Sequence, residues 1–146
     1  MDLKDKIKNL ADTYFNEMVA IRRHLHAHPE LSYEEVETSK FIAKKLTEFG
    51  IEHQTNIGGH GVVGLIKGKN ASSKIIALRG DMDALPIQEE NDVPYKSTVD
   101  GVMHACGHDV HTTCLLGAAK ILHETKGDWE GTVKLIFQLG EEKNPG

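Results

Sequence analysis

Cysteine is scarce in this chain, which carries two thiols, Cys106 and Cys114, among 146 residues. Eight positions apart, they do not have the spacing of a disulfide framework. That excludes the stapled folds of oxidising compartments and points to a reducing cytoplasm. Long apolar runs are missing too: nothing approaches the ~18 residues that cross a bilayer, so no membrane span is expected. The opening Met1-Asp2-Leu3-Lys4-Asp5-Lys6 alternates charges and lacks the apolar stretch of a signal peptide. No basic tract interleaved with aromatic residues occurs, and the net charge is −5. A nucleic-acid binder would need the opposite balance.

What is present suits one globular domain with a real core, at 39% hydrophobic and 27% charged residues. No internal repeat or low-complexity segment is visible. Apolar residues at Leu3, Ile7, Leu10, Tyr14, Phe15, Met18, Ile21 and Leu25 step by threes and fours, which predicts a helix ended by Pro29. Ser32-Tyr33-Glu34-Glu35 has the capping-box pattern and predicts a second helix starting there. Its inward face would be Val36, Ile42, Leu46 and Phe49, with Gly50 as the stop. Residues 51–56 and 62–67 flank a glycine-rich turn and predict an antiparallel hairpin. Lys74 to Arg79 reads as a buried strand ending at Gly80. Pro86 to Val102 reads as a long surface loop. A third helix is expected over Asp109–Glu124, with Leu115, Leu116, Ala119 and Leu122 inward, then a strand over Gly131–Gln138. Strands alternating with helices predict an α/β fold, a mixed sheet with helices on its faces.

Three clusters of chemically active residues follow strand ends or open a helix, where α/β sheets collect their chemistry. In Arg79-Gly80-Asp81-Met82-Asp83 two acids one residue apart share a side of an extended segment. They suit a cation, or equally a surface turn in which Asp81 caps local backbone groups. In His104-Ala105-Cys106-Gly107-His108-Asp109-Val110-His111, thiolate and imidazole are ligands that zinc selects, and Gly107 lets the backbone bend between Cys106 and His108. Asp109 could hold the far nitrogen of a histidine. Each residue alone fits a buried thiol or a helix cap. Three histidines, a cysteine and an acid within eight positions favour a metal. In Gln138-Leu139-Gly140-Glu141-Glu142, adjacent side chains point apart, so one carboxylate can reach a metal while its neighbour serves as a base. A solvated acidic turn is the alternative. His24, His26 and His28, at spacings of two, point about 200° apart on a helix and cannot converge on one ion. His53, His60 and His123 are expected on the surface.

Taken in order, Arg22 to Ser32, Arg79 to Pro86, His104 to Asp109 and Gly131 to Gln138 resemble the N-acyl-amino-acid amidohydrolase branch of the dinuclear-metal exopeptidases. That branch includes aminoacylases, hippurate hydrolases and auxin-conjugate hydrolases. The resemblance covers nearly the whole chain. It implies that residues 1–146 are the N-terminal part of a zinc-exopeptidase-like catalytic domain, without the dimerisation domain and the C-terminal part of the catalytic domain. It implies Cys106, His108 and Glu142 as metal ligands, Glu141 as general base, and Asp83 as the acid that orients a metal-site partner. Asp81 stands where relatives outside the branch carry a metal-binding histidine. The implied cofactors are divalent ions (zinc, manganese or cobalt), two per complete site. The implied reaction is hydrolysis of the amide of an N-acyl amino acid or short peptide. Homo-oligomers, or association with a missing C-terminal half, are the implied assemblies. Two departures stand out: the family's Gln-Pro-Ala-Glu-Glu is Gln138-Leu139-Gly140-Glu141-Glu142 here, and a glycine-rich stretch is replaced by Lys143-Asn144-Pro145-Gly146. Competing readings are a non-catalytic metal-binding or interaction module, and a cysteine hydrolase using Cys106.

Overall fold

A computed structural model describes residues 2–144, so Pro145 and Gly146 of the second departure lie outside the described residues. The elements run α1 (Leu3–Ala27), α2 (Val36–Glu48), β1 (Glu52–Ile57), β2 (Gly61–Lys67), β3 (Ile75–Asp81), α3 (His108–Glu124) and β4 (Thr132–Gln138). The strands form one mixed sheet in the order β1-β2-β4-β3. β1 with β2 and β2 with β4 are antiparallel, while β3 and β4 are parallel. Helix α3 is the crossover between that parallel pair. The α/β expectation and each element's identity hold.

The core joins Ile21 and Leu25 of α1, Ile42 and Leu46 of α2, Leu115, Leu116 and Ala119 of α3, and Val62, Ile66, Leu135 and Phe137 of the sheet. α1 covers α3, so only part of its apolar stripe is used, and Phe15 remains 64% exposed. The hairpin turn places Asn56, Gly58 and Gly59 at positive φ, which the two glycines adopt without steric cost.

Several expectations need correction. Helix α2 starts at Val36, and its cap residue Glu35 makes no side-chain capping bond. Ser32 Oγ instead donates to Asp83 Oδ2 at 2.6 Å, and Glu35 Oε1 accepts the Gly140 N–H at 2.7 Å. Distant partners thus take both side chains that the capping box would use. The orphan donors of α2 go to Glu30, whose carboxylate accepts the N–H groups of Glu37 and Thr38. Val36, expected inward, is 39% exposed at the first turn.

Strand β3 is not buried. It lies at the sheet edge with one hydrogen-bonded neighbour, and Ile75 and Ile76 are largely exposed. Only its end, Gly80 and Asp81, is fully buried, with Leu78 partly covered. The 86–102 loop carries no helix or strand, yet it is anchored from within, because Glu89 is buried. His53, His60 and His123 are partly exposed, as surface positions are.

Candidate metal centre

The parallel register pairs Asp81 with Gln138, so the ends of β3 and β4 lie side by side. The three clusters met in the sequence are therefore delivered to one end of the sheet. β3 supplies Asp81 and, just beyond it, Asp83. β4 supplies Glu141 and Glu142 through the turn at Gly140. The first turn of α3 supplies His108 and His111, and Cys106 precedes it.

Local backbone makes this possible at two glycines. Gly107 caps α3 at φ 95°, a left-handed conformation that separates Cys106 from the helix. Nothing lies within 4 Å of where its Cβ would be, so the requirement there is conformational and not one of space. At Gly80 a Cβ would meet the His111 carbonyl oxygen at 3.1 Å, so glycine lets the start of α3 sit directly on β3. Thr112 Oγ1 adds a bond to the Asp81 carbonyl oxygen at 2.8 Å.

His108 is the centre of the cluster and is buried. Its Nδ1 lies 2.9 Å from the Asp83 carbonyl oxygen and 3.0 Å from Asp83 Oδ1. Both are acceptors, so Nδ1 carries a proton and the Nε2 edge of the ring faces outward. Around Nε2 stand Asp81 Oδ1 at 3.6 Å, Glu142 Oε1 at 3.6 Å and Glu141 Oε2 at 3.7 Å. Three carboxylates converge on this one ring nitrogen. Glu142 Oε1 is buried without a hydrogen-bond partner. Such a convergence of acceptors is unfavourable unless a cation joins it.

The ligand atoms of Cys106, His108 and Glu142 all lie within 4.8 Å of one another. A tetrahedral zinc site spaces its ligands roughly 3.3–3.8 Å apart, so a small contraction would close this set on an ion. Thiolate, imidazole and carboxylate are the donor types such an ion takes. The residues fit the group. Asp81, His108 and His111 form a second set within the same limit. Both sets use His108, whose single free nitrogen can serve one ion. His111 Nδ1 lies 2.6 Å from Asp81 Oδ1, and Arg79 Nη1 lies 3.0 Å from Asp81 Oδ2. Asp81 is thus engaged on both oxygens, facing the site and not capping a turn.

Electrostatics follow from these contacts. The hydrogen bond from Cys106 to Glu142 raises the thiol above its ordinary value, with burial and the charges of Glu142, Glu141 and Asp81 adding to it. A thiol held protonated by acids is a poor nucleophile, which argues against the cysteine-hydrolase reading. Burial pushes the Asp83 carboxyl up. The hydrogen bonds from Ser32 and the Glu142 N–H outweigh it and hold the group below its usual range. His104, buried with neither ring nitrogen bonded, is pushed down to about 4 by burial.

Ser32 had no assigned site role, and His111 was counted in the 104–111 cluster without being named a ligand. Ser32 is masked by its capping-box context. His111 carried a usable signal, since His108 and His111 are three apart on one helix face.

Residues 77–146, which contain all three clusters, match peptidase family M20/M25/M40. Over 143 residues the chain is 45% identical to an N-acyl-L-amino acid amidohydrolase of Geobacillus stearothermophilus, covering 98% of this chain and 38% of that protein. Over 135 residues it is 49% identical to IAA-amino acid hydrolase ILR1-like 5 of Arabidopsis thaliana, covering 92% and 31%. The Bacillus subtilis YXEP protein, described as a dinuclear metal binding peptidase, superposes with a TM-score of 0.85 at 45% identity, covering 90% of this chain and 37% of that one. The chain spans about a third of the length of the relatives it matches. With these motifs in this order on this sheet, residues 77–146 place the chain in peptidase family M20/M25/M40.

Proposed function

We propose that residues 1–146 form part of the catalytic domain of a metal-dependent amidohydrolase that cleaves the amide of N-acyl amino acids or short peptides. The observation that carries this reading is the convergence of the Glu142, Glu141 and Asp81 carboxylates on Nε2 of His108. Cys106, His108 and Glu142 would hold a divalent ion, zinc, manganese or cobalt. When bound, such an ion supplies Lewis acidity toward the scissile carbonyl and acidifies water.

The chain's own residues do the rest. Asp83 holds His108 by Nδ1, fixing the tautomer that presents Nε2. Glu141, with a side chain 38% exposed, reaches solvent beside the ligands. Its carboxylate takes the proton of the attacking water as the C–O bond forms, then delivers that proton to the amine nitrogen as the C–N bond breaks. The products are a carboxylate and a free amino acid. A second ion, and further ligands for it, belong to the complete site; the remainder of the polypeptide or a second copy would supply them.

The test is turnover of N-acetyl and N-benzoyl amino acids by purified chain with each metal added. Hydrolysis abolished by Glu141→Gln supports the mechanism. Absence of turnover with every metal, alongside measurable metal binding, favours the second reading: a metal-binding interaction module, which the exposed Ile75 and Ile76 on the edge strand suit. Restoration by a separately supplied C-terminal half would return the chain to the enzyme reading.

A further inference from the structure

Behind the ligand cluster lies a second group of buried charges. His26, near the end of α1, is 5% exposed. Its Nδ1 is 2.7 Å from Asp109 Oδ2 and its Nε2 is 2.9 Å from Glu89 Oε1. Both partners are essentially without solvent contact.

A neutral imidazole has one N–H, so one of these contacts would set a lone pair against a carboxylate oxygen. Either a carboxyl carries a proton or the ring carries two. Glu89 also accepts the Ser97 N–H at 2.6 Å and the Asn91 amide at 3.1 Å. Asp109 accepts the Val110 N–H at 2.9 Å and faces Arg22 Nε at 3.1 Å. It also lies in the first turn of α3, where the helix dipole favours an anion. Both carboxylates are surrounded by donors, as ionised groups require. The second proton belongs on the ring.

Buried charges of this kind stabilise little compared with apolar packing, and their attested use is to fix one arrangement among alternatives. Here three segments meet on one ring: α1 through His26, the 86–102 loop through Glu89, and α3 through Asp109. Cys106 and His108 lie on the stretch between the last two. Asp109 directly follows His108, and the loop is tied again to α1 where Thr98 donates to the Ala27 carbonyl oxygen at 2.7 Å.

We infer that His26, as an imidazolium clamped between Asp109 and Glu89, is a positioning residue that holds Cys106 and His108 at metal-ligating separation. It touches neither ligand and acts through Asp109 and the loop. The inference rests on the metal-site reading above.

Two measurements on the full chain test it. In the metal-free protein at neutral pH, nitrogen–proton NMR of the ring should show both N–H groups of His26 in slow exchange; a single N–H overturns the inference. Cobalt titration, read by the thiolate-to-cobalt absorption band, should show His26→Gln weakening binding by about ten- to a hundredfold. The double variant His26→Gln with Glu89→Gln restores charge balance and should recover most of that loss, which a merely structural role would not predict. Wild-type affinity in a folded His26→Gln overturns the inference while leaving the metal reading intact. If His26→Gln does not fold, Glu89→Gln alone should remove the slow exchange of one ring proton and weaken cobalt binding; no change in either overturns it. If the wild-type chain gives no cobalt band, the metal reading fails. The backbone amide shifts of Cys106 and His108 then decide the positioning: displaced by the variant in support, unmoved against.

Discussion

The backbone N–H of Glu142 donates to Asp83 Oδ2 at 2.9 Å, so the turn after β4 is pinned to the acid that follows β3. The same oxygen accepts Ser32 Oγ, and the other faces His108 Nδ1. Asp83 thus collects donors from three separate parts of the chain. In Asp83→Asn one acceptor becomes an amide donor and must face one of those donors. The expected cost is about 1–3 kcal/mol in urea unfolding. Zinc affinity should fall about ten- to a hundredfold, since His108 loses its tautomer control.

Glu89 gives the protein a specific acid sensitivity. Burial pushes its carboxyl up, but hydrogen bonds from His26, the Ser97 N–H and Asn91 outweigh that and bring it down to about 2. A carboxyl lowered in the folded state contributes stability that is present above its unfolded value of 4.5 and is lost as pH falls toward about 2. Unfolding free energies measured across that window should drop, by on the order of 3 kcal/mol from this group. The Glu89→Gln variant should lack that part of the slope. Equal slopes in both proteins would contradict the assignment.

Gly140 carries the turn that aims the two glutamates. Its φ is 61°, and a Cβ there would meet the Tyr33 ring at 2.6 Å. Gly140→Ala is expected to cost roughly 1–3 kcal/mol from the left-handed backbone, with the ring clash added. Because Glu141 and Glu142 follow directly, metal binding should weaken more than the loss of stability explains. Calorimetric titration under conditions where the variant is fully folded separates the two effects.

The thiol of Cys106 reports on its neighbours. The hydrogen bond to Glu142 is the main reason that it is raised. Removing that charge by Glu142→Gln should lower it and speed alkylation of Cys106 by iodoacetamide at neutral pH. Added zinc should slow the same reaction in the wild-type protein and have less effect in the variant. Mass spectrometry of the labelled peptide distinguishes Cys106 from Cys114.

Much of the fold was legible because helical and strand periodicity is a local property. The three helices and four strands follow from spacing alone, as does the delivery of Asp83, Cys106, His108 and Glu142 to strand ends and a helix start. Ser32 and Glu35 show where local reading fails. Their spacing is that of a capping box, but their partners are Asp83 and Gly140, 51 and 105 residues away. His26 fails for the same reason: helical geometry separates it from His24 and His28, and nothing nearby in sequence announces Asp109 or Glu89. The burial expected of β3 is not met among residues 2–144, where the strand has one hydrogen-bonded neighbour and its composition alone could not show how many it would have.

That outer strand has a consequence for the chemistry. Asp81 ends β3 and Asp83 follows it, so among the described residues two of the site's acids hang from a ladder fastened along one side only. Opening of that ladder would carry both acids away together, while Cys106 and His108 stayed with α3. Amide protons of Ile76 to Gly80 should therefore exchange with solvent sooner than those of β2, and anything that laces the free side of β3 would tighten ion binding without touching a ligand.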